Sequence, residues 1–144
     1  MRVAQILRTK GTRIVTIRPR ESVAAAAKLM VTENIGALVV TDVVLTEGST
    51  VVGLLSERDL MRALVAGGQD IMRMSVEKVM SKKLISCAPD DDLADVIEKM
   101  DRHAIRHLPV LDEHTLVGVL SVRDVIRVMR GAVAEKSETV APAA

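Results

Sequence analysis

The sequence contains one short string of chemically useful residues twice, at residues 53–59 and 118–124. Each copy reads Gly, two apolar residues, Ser, any residue, Arg and Asp. The Asp carboxylate can accept hydrogen bonds from both hydroxyls of a ribose diol. A Ser at the start of a helix lies beside unpaired backbone N–H groups that favour a phosphate, and the Arg can add a bidentate phosphate contact. The string therefore carries the groups needed to hold a nucleotide.

The same spacing also has a purely structural interpretation. Ser followed three residues later by an acidic residue, ahead of an apolar helix, is a capping box. Ser56 would then cap the helix, and Asp59 would reach back to it. Capping is the simpler interpretation of one copy alone, whereas two copies with matched Arg58 and Arg123 favour ligand binding. The two interpretations are compatible with each other.

The strings belong to a longer internal repeat. Residues 15–40 align with residues 85–110, and residues 51–64 align with residues 116–129. The first copy has the longer turn, between Thr41 and Thr50. A weaker echo precedes each copy, at residues 3–7 and 76–80. We therefore expect repeat 1 with a lead segment over residues 1–70, repeat 2 with a linker helix over residues 71–130, and a flexible tail over residues 131–144.

Each repeat has the pattern strand, helix, strand, strand, helix. Apolar residues at helical spacing predict one helix from Val23 to Met30 and a second from Leu93 to Met100. Short β-branched runs between polar turns predict strands, and the last helix of each repeat should begin after Ser56 or Ser121. The predicted extended and strand segments are residues 14–17, 37–40, 50–55, 84–87, 108–111 and 116–120. The fold class is α/β, with two pseudo-symmetric β-α-β-β-α repeats that fold as a pair about a pseudo-twofold axis.

Composition narrows the classes of partner. The chain of 144 residues has 49% apolar residues but no Phe, Tyr or Trp, so its core and any base-binding surface must be aliphatic. Single-stranded nucleic acid is disfavoured because base stacking needs aromatic platforms. A net charge of +1 disfavours DNA, RNA and anionic membranes. We expect a cytoplasmic protein, because it has one Cys, no secretory apolar core and no apolar run of about 20 residues.

The paired strings resemble a known family. Residues 53–59 (GLLSERD) and 118–124 (GVLSVRD) look like the Gly-x-x-Ser/Thr-x-x-Asp element of cystathionine-β-synthase-type (CBS) domains. Residues 106–110 (RHLPV) are similar to the strand-entry element of that family. The resemblance extends over about residues 3–129. It implies a Bateman module, in which two repeats form one regulatory unit that pairs into a homodimer.

The resemblance also implies a ligand and two pockets. The ligand would be adenosyl: AMP, ADP, ATP, S-adenosylmethionine or an NADH-like nucleotide, with AMP or ATP favoured, bound as a regulator rather than as a catalytic cofactor. Each pocket would draw on both repeats. The pocket around Asp124 would use Val119, Ser121, Arg123 and Asp124 with Arg18, Ile35, Gly36 and Ala37, and with Arg106 and His107 beside the phosphates. The pocket around Asp59 would use Leu54, Ser56, Arg58 and Asp59 with Ala88, Ile105 and Arg106.

The two copies differ at the strand entry. Gly36 and Ala37 stand where the second copy has Arg106 and His107. We therefore expect pockets of unequal affinity, one of which could stay empty.

Three further classes of function have less support. The His residues are not spaced with Cys or carboxylates as metal ligands, and Cys87 is expected to be a small buried hydrophobe. No phosphate-binding Gly loop and no nucleophile–base motif is present, so we expect no enzyme activity. CBS pairs also occur inserted in IMP dehydrogenases, but 144 residues leave no room for a barrel of about 250 residues. The main alternative to a nucleotide sensor is a nucleotide-free dimerisation or docking module that acts through an unknown partner protein.

Overall fold

The computed structural model describes residues 1–11, 13–44 and 48–139. The helices are α1 (Val3–Lys10), α2 (Val23–Glu33), α3 (Glu57–Gly67), α4 (Leu93–His103) and α5 (Val122–Thr139). The strands are β1 (Thr16–Ile17), β2 (Ala37–Val44), β3 (Gly48–Ser56), β4 (His107–Asp112) and β5 (Thr115–Ser121). Two 3-10 helices, Gly68–Arg73 and Val76–Lys78, occupy the connection between the repeats.

The predicted β-α-β-β-α order is confirmed in both repeats. In the first, β1 pairs parallel with β2, and β2 pairs antiparallel with β3. In the second, Cys87 forms a parallel bridge to Val110, and β4 pairs with β5. The second repeat therefore reproduces the pairing of the first, with β1 reduced to a single bridge.

The first helix of each repeat is stopped by a residue in the left-handed conformation. Helix α2 is capped at its start by Ser22, whose Oγ accepts a hydrogen bond of 3.0 Å from Ala25 N, and at its end by Asn34 (φ 52°). Helix α4 ends in the same way at Ala104 (φ 51°). Asn tolerates this conformation well, whereas Ala does so at a cost.

The buried residues of α2 and α4 include most of the apolar residues that the helical spacing predicts to face the core. Val23, Ala26 and Met30 are buried in α2. In α4 the buried residues are Val96 and Met100, while Ile97 remains 38% exposed. The buried apolar face of α4 is therefore narrower than the spacing of its apolar residues predicts.

The lead segments pack against the opposite repeat from the one they precede. In α1, Val3 N donates to Asp91 O (3.0 Å) at the turn before α4. In the second lead segment, Val76 N donates to Glu21 O (2.8 Å) at the turn before α2. Both Val3 and Val76 have no exposed surface. The echo between residues 3–7 and 76–80 thus corresponds to two equivalent docking contacts.

This exchange gives two compact units that divide the chain differently from its repeat order. One unit contains Met1–Arg13, Ser86–Glu113 and Val117–Ala144, and the other contains Ile14–Ile85 and His114–Leu116. The core of the second unit is wholly aliphatic, as the composition requires. Its buried members are Ile17, Ala26, Met30, Leu38, Val40, Leu55 and Val76.

Helix α5 extends further than the sequence predicts. It continues past Gly131 to Thr139, within the segment expected to be a flexible tail. Strong helix formers follow Gly131, namely Ala132, Ala134 and Glu135. The helix therefore continues there without regularly spaced apolar residues. Residues 140–144 of the predicted tail lie outside the described part of the chain.

Two glycines let the lead segments approach the strands. A Cβ on Gly53 would lie 2.6 Å from Met80 Sδ and 2.9 Å from the backbone oxygen of Ser81. A Cβ on Gly118 would lie 2.7 Å from Leu7 Cδ2, at the end of a flexible side chain. Ser81 is also held to Leu54 by two backbone hydrogen bonds, of 3.0 and 2.9 Å, so its oxygen has little room to move.

Gly53→Ala and Gly118→Ala should therefore differ in stability. Gly53→Ala should lower the free energy of unfolding by about 1–3 kcal/mol, because the methyl group meets backbone. Gly118→Ala should change it by less than about 1 kcal/mol, because Leu7 can adopt another rotamer and Ala reduces unfolded-chain entropy. Urea denaturation of the two variants beside the wild type makes the comparison. Equal destabilisation would show that backbone approach at Gly53 is not limiting.

Candidate functional site

At the start of α3, Ser56 and Asp59 are joined by reciprocal hydrogen bonds. The Asp59 Oδ2 atom accepts from Ser56 N and from Ser56 Oγ, both at 2.9 Å. Asp59 N in turn donates to Ser56 Oγ at 3.2 Å. The predicted capping box is therefore confirmed, and it holds the half-buried Asp59 carboxylate in one orientation.

The start of α5 repeats this geometry. Asp124 Oδ2 accepts from Ser121 N at 2.8 Å and from Ser121 Oγ at 2.9 Å. Asp124 N donates to Ser121 Oγ at 3.1 Å. Asp124 is only 6% exposed, so the second carboxylate is the more deeply placed of the two.

The strand-entry residues lie beside these helix starts within each unit. Glu57 N donates to Gly36 O at 3.0 Å, and Ala37 lies opposite Ser56 in the β2–β3 pair. In the second repeat, Val122 N donates to Arg106 O at 2.9 Å. The structure thus places Gly36 and Ala37 beside the Asp59 helix start, and Arg106 beside the Asp124 helix start.

The predicted basic residues have different surroundings. Arg58, Arg106 and Arg123 are exposed. Arg18 lies with Nη1 3.8 Å from Asp42 Oδ1, in an ion pair that the sequence did not indicate. The pairing of Arg18, Ile35, Gly36 and Ala37 with Asp124 in one pocket stays a prediction.

Lys10 is a site residue that the sequence alone did not indicate. Its Nζ lies 2.7 Å from Asp124 Oδ2 and 2.5 Å from the backbone oxygen of Val119. The Lys10 side chain is 31% exposed, and that of Asp124 is 8% exposed. The sequence signal that pointed towards Lys10 was the similarity of residues 3–7 to residues 76–80. This similarity indicated that α1 docks in a position equivalent to that of the second lead segment.

The pKa of Asp124 reflects opposing effects. Burial of the carboxyl raises the pKa, but hydrogen bonds from Lys10 and Ser121 and the positive charge of Lys10 outweigh it. The pKa is therefore lower than the usual 3.8. Asp124 is ionised at neutral pH, as a partner for donors must be.

Cys87 is buried, as predicted, and its thiol is not activated for reaction. Burial, with the nearby charge of Asp91, raises the pKa of its thiol to about 11. A thiol of this kind is a poor nucleophile at neutral pH. Across residues 1–11, 13–44 and 48–139 no group of three His, Cys, Asp or Glu side chains could hold a metal ion.

Among the helices that the structure describes, none is long and apolar enough to cross a membrane.

The fold and the paired helix starts define a class of protein, the regulatory modules built from tandem CBS repeats. The family model for the CBS domain matches residues 3–66 and again residues 76–131. The chain therefore belongs to the CBS domain family, and the resemblance seen in the sequence is confirmed.

Relatives and solved structures agree with this assignment. The CBS domain-containing protein YhcV of Bacillus subtilis is 34% identical over 116 residues, which cover 81% of this chain and 79% of YhcV. The CBS-domain containing protein ATU1752 of Agrobacterium tumefaciens has a similar structure, with a TM-score of 0.83 and 33% identity over 89% of this chain and 92% of that one. The CBS domain pair of protein MJ0100, solved with 5′-methylthioadenosine and S-adenosyl-L-methionine, has a TM-score of 0.78 and 25% identity over 92% of this chain and 98% of that one.

Removal of the Lys10 ammonium should weaken the acid dependence of stability. The folded-state pKa of Asp124 lies below its unfolded value, so its ionised form stabilises the fold above that value. This contribution is lost as the pH falls through the folded-state pKa. In Lys10→Met the loss should be smaller, since the carboxylate no longer has its cation.

Urea unfolding from neutral pH down to about pH 2 measures this effect. Arg8→Met is the matched control, because Arg8 is an exposed cation on the same helix. Identical pH profiles for Lys10→Met and wild type would contradict the assigned ion pair.

Proposed function

We propose that this CBS pair binds an adenosyl ligand at its Ser-x-x-Asp helix starts and regulates a partner protein in trans. The observation that carries the proposal is the orientation of the Asp59 carboxylate. Both Ser56 donors use Oδ2, and within the described residues no donor reaches Oδ1. A half-buried carboxylate held in this way suits the hydroxyl donors of a ribose.

The helix start supplies the second part of the site. The helix dipole at the beginning of α3 favours a phosphate, and Arg58 comes two residues after Ser56. Because the chain has no aromatic side chain, an adenine base would pack on aliphatic groups. These features support an adenine nucleotide such as AMP or ATP, with an NADH-like dinucleotide as the less favoured ligand.

The complex of the MJ0100 CBS pair supports the ligand class. That structure contains 5′-methylthioadenosine and S-adenosyl-L-methionine, which share an adenosyl group. We propose an adenosyl ligand for this chain as well, because it has both copies of the carboxylate that would bind a ribose. We propose the cytoplasm as its compartment, since the one Cys of the chain is a buried thiol.

Loss of the Asp59 charge should remove most of the response to ligand. Wild-type protein should melt at a higher temperature with AMP, ATP, NADH or S-adenosylmethionine, gaining about 2.7 kcal/mol at 100 times the dissociation constant. Asp59→Asn should lose most of this shift, while its amide oxygen still accepts the Ser56 hydrogen bonds. A thermal-shift screen of both proteins measures this.

Asp95→Asn serves as a control, because Asp95 is exposed in the first turn of α4, away from either Ser-x-x-Asp string. No shift of folded wild type with any of these ligands would contradict the proposal. That result would favour the nucleotide-free docking module.

We also propose that the protein forms a homodimer through the last helix of each repeat. Exposed apolar residues recur at matched positions, with Met61 (59%) and Leu64 (43%) on α3 and Ile126 (51%) and Met129 (52%) on α5. The Ile126 and Met129 side chains line an apolar surface groove. Matched apolar faces on both repeats suit the self-complementary interface of a twofold dimer.

Charges in this face should separate the dimer. Ile126→Glu combined with Met129→Glu should shift the sedimentation coefficient from dimer to monomer, because unpaired carboxylates are costly to bury. Arg127→Gln, at an exposed position of the same helix, should leave the dimer intact. A wild type that sediments as a monomer would refute this dimer.

A further inference from the structure

We propose that the Lys10 ammonium is a built-in occupant of the Asp124 site, so that an adenosyl ligand binds at Asp59 first and must displace Lys10 to bind at Asp124. The inference rests on the proposed function. It identifies Lys10 as the residue that makes the two sites unequal.

Lys10 already donates to one oxygen of the Asp124 carboxylate and to a strand carbonyl, so its charge compensates the carboxylate that a ribose would bind. Its Nζ donates to Asp124 Oδ2 at 2.7 Å and to the Val119 carbonyl. A ribose hydroxyl would seek the carboxylate, and a donor on the base would seek a strand carbonyl. With Ser121 N and Oγ also on Oδ2, that atom accepts three hydrogen bonds. The ammonium therefore holds Oδ2 and compensates the charge of the carboxylate in the absence of a ligand.

The structure of α1 brings Lys10 to this position. Backbone hydrogen bonds of Val3 and Ala4 to Asp91 O and Pro89 O anchor the start of the helix. One turn before Lys10, Leu7 packs at Gly118. Residues three apart lie on the same helix face, so Lys10 extends beyond Leu7 towards the start of α5. The helix then ends at Gly11 (φ 93°).

The second lead segment brings no lysine to Asp59. Met80 packs at Gly53 as Leu7 packs at Gly118, so the two segments dock in equivalent positions. However, the 3-10 helix Val76–Lys78 is short, and the chain then pairs Ser81 with Leu54 as an isolated bridge. Lys83, which aligns with Lys10, is exposed. Within the described residues, Asp59 makes no ion pair.

The difference in geometry has an energetic consequence. In the part of the chain that the structure describes, the Asp59 carboxylate is held only by its own cap, whereas a ligand that replaces Lys10 at Asp124 must first break a partly buried, charge-assisted hydrogen bond. Such bonds are stronger than those between neutral groups. We expect binding at Asp124 to be weaker by about tenfold or more on this account.

Binding measurements in an Asp59→Asn background test the inference, since Asp124 is then the remaining intact site. The probes are 5′-methylthioadenosine, which has no phosphate that Lys10 could attract, and AMP. Isothermal titration should show weak binding to Asp59→Asn. Addition of Lys10→Met should lower the dissociation constant by about tenfold or more. If circular dichroism shows that the Lys10→Met variant is unfolded, Lys10→Gln replaces it. Arg8→Met and Lys83→Met, added in turn, should leave the affinity unchanged.

The outcomes separate the two proposals. If wild type binds a probe but the Lys10 variants do not tighten binding in the Asp59→Asn background, the Lys10 inference is wrong and the proposed function stands. If wild type and every variant bind neither probe, the proposed function fails and the inference with it. An equal gain from Arg8→Met would assign the effect to net charge and overturn a specific role for Lys10.

Lysine modification gives a direct second readout. In Asp59→Asn without ligand, reductive methylation should modify Lys10 more slowly than Lys83, because the Lys10 ammonium is held between two acceptors. Saturating ligand should raise the rate at Lys10 and leave Lys83 unchanged, as read by peptide mass spectrometry. A Lys10 rate that stays constant while ligand binds would overturn displacement.

Discussion

The reciprocal hydrogen bonding of a Ser with an Asp three residues later is the interaction that organises the whole site. It satisfies the helix N-terminus, and in the same geometry it aims a carboxylate at one place. Backbone hydrogen bonds from Glu57 and Val122 to the strand-entry residues tie each helix start to the neighbouring strand. The cap and the proposed ligand-binding carboxylate are therefore one arrangement, whose hydrogen bonds are present without a ligand.

The exchange of lead segments gives this arrangement its asymmetry. Both segments dock through a buried Val, and both press a flexible side chain onto a strand glycine. Beyond that contact they differ, because α1 continues as a helix while the second segment turns into an extended bridge. Asp124 consequently has a lysine partner and a lowered pKa, whereas Asp59 is held, among residues 1–11, 13–44 and 48–139, by its cap alone. The two copies of the string form similar caps, and the path of the backbone adds a lysine partner at Asp124.

An interior without aromatic residues constrains function as well as folding. Burial depends on Val, Ile, Leu, Met and Ala, and the exposed apolar residues of α3 and α5 are of the same kinds. Recognition of a ligand must then come from a few oriented polar groups rather than from stacking. This places unusual weight on Asp59, Asp124 and the helix starts that hold them.

Residue spacing alone was enough to predict the two repeats, their β-α-β-β-α order and the Ser–Asp caps, and the resemblance of the repeated motif indicated the family. These features are local, and the pattern along the chain reports them directly. The packing of α1 with the second repeat required the three-dimensional fold, as did the contact of Lys10 with Asp124 across 114 positions of sequence. The same holds for the pairing of Arg18 with Asp42. Such contacts depend on the route of the backbone between distant residues, which local periodicity does not encode.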